Sequence, residues 1–228
     1  MLTILHGDNI DASRTELLAM IAAAKGKEIR ELNGRSLDTN ELTQALESSS
    51  LFGGNTLVVI ENLFSKLGRQ VKRIEALSSI LGGSSASTDI IVWEDKELGI
   101  TALKSLGKAI VRTFKLPAVI FQLLDGLRPD AARPMVLLFQ KVVAVQPAEI
   151  TYTLLVRRVR QLIQLRDGVA PEGLAPWQAS RLTGQARLFT MDELVVMHTK
   201  LLDMDIAIKT GTSPFTLAQR IEQFLISL

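Results

Sequence analysis

The sequence predicts an α/β unit with a five-stranded parallel sheet, followed by an all-helical unit. Three observations predict it. Five short apolar runs alternate with helical periods up to Phe114. The strand signals stop at Pro117, where a helical period takes over to the end of the chain. No cysteine occurs among the 228 residues, which excludes a disulfide framework, thiolate zinc and cysteine nucleophiles. The boundary therefore falls at Leu116, giving units 1–116 and 117–228.

The elements follow in order. Leu2 to Leu5 is an apolar run ending before Gly7, as a buried strand does before a turn. Asp11 or Ser13 can cap a helix through Ala24, with Leu17, Leu18 and Ile21 on one face. Glu28 to Leu32 reads as a more polar strand at a sheet edge. Asp38-Thr39-Asn40-Glu41 is a capping box for a helix carrying Leu42, Ala45 and Leu46. Thr56 to Ile60 is the third strand. Ser65 can cap a helix with Leu67, Val71, Ile74 and Leu81, closed by Gly82-Gly83. Asp89 to Trp93 is the fourth strand, Ala102 to Leu106 a short helix, and Ala109 to Phe114 the fifth strand. Strands and helices in alternation argue for a parallel sheet covered on both faces.

In the second half Pro117, Pro134 and Pro147 each start or precede a helix. In the helix after Pro147, Tyr152, Leu155, Val156, Val159, Leu162 and Ile163 form an apolar stripe. Arg157, Arg158 and Arg160 largely face away from it. A helix follows around Trp177 to Arg187. Thr190-Met191-Asp192-Glu193 is a capping box opening a helix to about Lys209, with Gly211 after its end. Ser213-Pro214 starts the last helix. Both Trp93 and Trp177 are expected in the core.

Hydrophobic residues make up 47% of the chain and the net charge is +2, which fits a globular protein with only local basic patches. Up to Lys115 there are 14 basic and 14 acidic residues, and from Leu116 onward 12 and 10. Nine of those twelve bases are arginines, which gathers local positive charge in the second half. The N-terminus lacks a basic segment and a long apolar run, so no signal peptide is expected. No apolar run approaches a membrane span, and a cytoplasmic protein is expected.

Catalytic signatures are missing. The loop His6-Gly7-Asp8-Asn9 has one glycine and no Lys-Ser/Thr pair, so it cannot form a phosphate cradle. Glu61, at the end of the third strand, is one carboxylate where a P-loop ATPase carries a magnesium-binding pair. There is no G-x-G-x-x-G loop and no G-x-S-x-G elbow. His6 and His198 have no metal-ligand spacing, and a structural role is expected for each. No catalytic residue, cofactor or metal is assigned.

The most informative stretch is Ser50-Leu51-Phe52-Gly53-Gly54, running directly into the third strand. The two glycines break any helix, so Leu51 and Phe52 sit at a chain reversal. Taken alone they are either buried core or a docking pair for a partner's pocket.

Three stretches together resemble the delta subunit of the bacterial DNA polymerase III clamp loader. They are Ser50 to Asn62, the arginine-bearing helix from Tyr152 to Gly168, and Trp177 to Leu182 through Asp205-Ile206-Ala207-Ile208-Lys209-Thr210-Gly211. The resemblance implies an AAA+-like domain that has lost ATP binding, followed by a helical collar for assembly with other loader subunits. It implies that Leu51 and Phe52, with Ser50, enter an apolar pocket on a sliding clamp and help to open it. Arg157, Arg158 and Arg160 become candidate contacts to DNA phosphates or acidic neighbours. The chain departs from the family in one respect. Phe114-Lys115-Leu116-Pro117 runs straight into the first collar helix, where the family usually inserts a helical lid. A short form of the subunit and a paralogue with another task both stay open. So do an assembly module with a vestigial α/β domain and an unrecognised nucleotide-binding enzyme.

Overall fold

The computed structural model describes residues 1–47, 55–65, 67–68, 70–83 and 88–228. The chain divides into two compact units, Met1–Leu116 and Pro117–Leu228.

The first unit is an α/β sheet structure. Its strands are β1 (Leu2–Gly7), β2 (Glu28–Asn33), β3 (Thr56–Glu61), β4 (Thr88–Glu94) and β5 (Ile110–Phe114). They pair in the order β2-β3-β4-β1-β5, every pair parallel. The polar strand β2 lies at an edge, and its burial alternates along its length. The central strands β1, β3 and β4 are nearly continuous apolar runs, as two-sided burial requires.

Helices cover both faces. The sheet's helices are α1 (Ile10–Ala23), α2 (Thr39–Glu47), α3 (Val71–Gly82) and α4 (Ile100–Ser105). Successive strand side chains alternate between faces. Ile4, Val58, Ile60, Ile90 and Val92 pack with Leu42, Leu46, Leu77 and Leu81 of α2 and α3. Leu5, Leu57, Val59, Ile91 and Trp93 pack with Leu17 of α1. The β1-to-β2 crossover thus runs over one face while the later crossovers run over the other.

The second unit is six helices: α5 (Ala118–Asp125), α6 (Ala132–Val143), α7 (Ala148–Arg166), α8 (Pro176–Ala186), α9 (Met191–Lys209) and α10 (Leu217–Ile226). Ile120, Phe139, Leu155, Val159, Leu194, Leu201 and Ile221 are fully or almost fully buried and form its core. The two units have the α/β plus all-α class that the sequence predicts.

Several local expectations are corrected. α1 is capped by Asn9, whose Oδ1 accepts from Ala12 N at 3.2 Å, instead of by Asp11 or Ser13. α3 begins at Val71, and Ser65 caps nothing because its hydroxyl donates to the buried Glu94 carboxylate. α10 begins at Leu217 and is capped by Thr216, three residues beyond Ser213, instead of starting at Ser213-Pro214. Trp177 is exposed: it lies on the far side of α8 from the buried Leu182 and Ala186. No helix among the described residues is long and apolar enough to cross a membrane.

Candidate functional site

In open α/β sheets, ligands bind beyond the carboxyl ends of strands where the chain reverses its direction of winding. Here that place lies at the ends of β1 and β4. The chain has closed it with its own groups. Gly7 N donates to Lys96 O at 3.3 Å, and Asn9 N donates to Phe114 O at 3.1 Å. Ala12 N is taken by the Asn9 side chain. Gly7 has φ +143°, and a Cβ added there would lie 1.9 Å from Phe114 O. The amides of Gly7 and Asn9 before α1, and of Ala12 in its first turn, therefore face protein acceptors, where a phosphate cradle presents free donors.

Two buried polar side chains fix the neighbouring loops. Glu94, at the end of β4, is fully buried. It accepts from Phe64 N at 2.8 Å, Ser65 N at 2.9 Å and the Ser65 hydroxyl. Burial pushes its pKa above the usual carboxylate value, against the opposing pull of those hydrogen bonds. His6, its register partner on β1, is equally enclosed. Its Nδ1 accepts from Leu98 N at 3.1 Å, and Nε2 lies 3.0 Å from the Thr113 hydroxyl. With Nδ1 an acceptor, the ring is neutral and carries its proton on Nε2. Burial is the main cause of a lowered pKa; Glu97 raises it and Lys115 lowers it further.

Glu61 is committed as well. Its two oxygens pair with the two terminal nitrogens of Arg14, one of them at 2.7 Å. The Arg14 guanidinium lies 3.8 Å from the centroid of the Trp93 ring, and Trp93 Nε1 donates to Ser13 Oγ at 3.0 Å. Among the described residues no group of three His, Asp or Glu is placed to hold a metal.

Ser50, Leu51 and Phe52 lie outside the described residues, between Glu47, which ends α2, and Thr56, which opens β3.

The three arginines of α7 separate into two kinds. Arg157 and Arg160 are exposed. Arg158 turns inward, so it is removed from the outward-facing set. Its Nη1 donates to Asp125 Oδ1 at 2.9 Å, Gln185 Oε1 at 2.8 Å and Leu124 O at 3.3 Å. The end of α5 leaves carbonyls without helical partners, and Arg158 with Gln185 supplies their donors. Gln185 Nε2 reaches Leu124 O at 2.8 Å and Leu127 O at 3.0 Å.

An open groove of about 910 Å³ runs between α7 and α9. Tyr152, Val156, Leu201 and Leu202 line it, with Arg157 and Arg160 on the α7 side and His198 on the α9 side. Sequence reading missed this groove. Its signal was present as Leu202, an apolar position of α9 that falls outside the buried stripe and is 50% exposed.

No protein-family model matches the chain, and no curated protein sequence is significantly similar to it. Among solved structures, the Bacillus subtilis DNA clamp loader delta protein is similar with a TM-score of 0.48 and 14% identity, covering 99% of this chain and 94% of that one. Domain III of the Thermotoga maritima replication initiation protein DnaA follows at 0.33 and 11%, covering 99% and 82%. The structure of Drosophila ORC bound to GC-rich DNA and Cdc6 matches at 0.31 and 15%, covering 89% and 76%. At such low identities and scores the likenesses are no guide to activity.

Proposed function

We propose that this chain is a non-catalytic subunit of a clamp loader, similar to the delta subunit of DNA polymerase III, which binds a sliding clamp and helps to open it during DNA replication. The observation that carries the reading is the self-closed loop between β1 and α1. The α/β unit keeps a five-stranded parallel sheet but directs the amides of Gly7, Asn9 and Ala12 to its own oxygens. A unit built this way acts through binding, and partner subunits supply the ATP-driven steps. It needs no cofactor of its own, and its place is the cytoplasm.

The docking element in this reading is Leu51 and Phe52, with Ser50 before them. Burying two such side chains in a clamp pocket supplies roughly 3–6 kcal/mol before ordering costs. The helical unit is the collar, joining other loader subunits. Its large exposed apolar side chains, Trp177, Leu188, Val196 and Ile226 among them, support an assembly role. Arg157 and Arg160 are its candidate contacts to DNA phosphates or acidic neighbours. Arg158 serves the unit's interior.

The test is binding of the purified chain to the sliding clamp of its own organism, wild type beside Leu51→Ala/Phe52→Ala. A second reading makes the helical unit an assembly module and the α/β unit vestigial. It rests on the same exposed apolar side chains and predicts complexes formed through residues after Pro117 without any clamp.

A further inference from the structure

We propose that the groove between α7 and α9 docks an amphipathic helix of a partner protein, one that is acidic along its middle turns. The inference rests on the reading of the helical unit as an assembly surface, and it is independent of clamp binding.

The dimensions suit a helix. The lining of α7 runs from Glu149 to Gln164. At about 1.5 Å per residue that is roughly 22 Å, or about four helical turns. The floor is apolar, formed by Val156, Leu201, Leu202 and the Tyr152 ring, whose hydroxyl already donates to Leu201 O at 2.9 Å. With the tyrosine's polar end satisfied inside, the groove offers a partner ring and methyl surface. Apolar side chains at helical spacing fill such a trough and bury it from water.

The charges select the partner. Asp205 is occupied by Lys209 at 2.7 Å. Arg157 and Arg160, one turn apart on the α7 side, make no ion pair or hydrogen bond with any described residue. Glu149 opens α7, and Glu172 follows its end beside Pro171. The groove is thus cationic at its middle and anionic toward its ends. The complementary helix places Asp or Glu opposite Arg157 and Arg160 and keeps acids away from its own ends. A DNA backbone matches the arginines but leaves the apolar floor uncovered, so the observations favour a protein helix.

The experiment uses the full chain and fluorescently labelled designed peptides of about four helical turns, with leucine on one stripe and glutamate flanking its middle. A counterpart replaces each glutamate with lysine, and a short DNA duplex is the third probe. The expected result is saturable binding of the acidic peptide, at least about tenfold tighter than the lysine peptide. Arg157→Glu/Arg160→Glu should reverse that preference, and Leu202→Asp should weaken both peptides. Melting curves establish that each variant folds. Leu51→Ala/Phe52→Ala should bind the peptide as wild type does, which separates a failure here from a failure of the clamp reading. The proposal is overturned if the acidic peptide does not bind, or if the charge reversal leaves its preference unchanged. It is also overturned if only the duplex binds through Arg157 and Arg160, or if the chain self-associates through this groove so that a second copy is the occupant.

Discussion

Arg158 Nη1 and Asp125 Oδ1 lie 2.9 Å apart, and the arginine side chain is only 12% exposed. The pair ties the middle of α7 to the end of α5. Asp125 also holds Arg181 of α8 at 2.7 Å, so one carboxylate joins three helices. Removing Arg158 leaves Asp125 partly buried with its more exposed partner alone, and leaves Gln185 Oε1 without a donor.

Arg158→Ala should therefore destabilise the chain by about 2–3 kcal/mol. Arg157→Ala, one position away on the exposed face, should stay within about 0.5 kcal/mol of wild type. Denaturant unfolding followed by circular dichroism compares the two. Equal effects would mean that Arg158 is also a surface residue.

Gly7→Ala should prevent stable folding of the α/β unit. The new Cβ meets a backbone oxygen, Phe114 O, at 1.9 Å, and the backbone φ of +143° suits glycine alone. Neither strain can be relieved by a side-chain rotation. Loss of the cooperative melt, or insolubility, is expected; a melt like that of wild type would contradict the close approach of β1 and β5.

His6 should make the α/β unit sensitive to acid. Its folded pKa is lowered, chiefly by burial, from an ordinary value of 6.5. The folded state favours the neutral ring, so its contribution is complete above that value and is lost as pH falls through the lower folded one. Protonating Nδ1 would also break the hydrogen bond from Leu98 N. Melting temperature measured from neutral to mildly acidic pH should fall in wild type and fall less in His6→Gln. Parallel curves would remove His6 as the cause.

Thr190→Ala should cost about 1 kcal/mol. Thr190 Oγ1 accepts from Glu193 N at 3.2 Å, and Glu193 Oε2 accepts from Thr190 N at 2.7 Å. Thr199→Ala, on the same helix and exposed, is the reference for thermal denaturation. An equal loss at both positions would rule out a special role for the cap.

The reciprocal bonds of Thr190 with Glu193, and of Asp38 with Glu41, were legible in the sequence because both partners lie within one turn. The central strands β1, β3 and β4 were legible because burial on both faces leaves unbroken apolar runs. What escaped the sequence depends on distant partners. Ser65 reads as a cap until Glu94, 29 residues on, claims its hydroxyl. Arg158 reads as outward-facing until Asp125 and Gln185 arrive from α5 and α8. Trp177 reads as core by residue type, yet its position on α8 decides its exposure. Of the proposed site, Leu51 and Phe52 came from sequence alone, whereas the α7–α9 groove needed two helices separated by the whole of α8.

The proposed role has this chain engage a sliding clamp through Leu51 and Phe52. Its most direct test is titration of the cognate clamp with wild type and with Leu51→Ala/Phe52→Ala, both shown by melting to be folded. The account predicts micromolar or tighter binding by wild type, roughly −8 kcal/mol or stronger, and its loss in the double variant. Wild-type protein that does not bind, or a double variant that binds equally well, would contradict it.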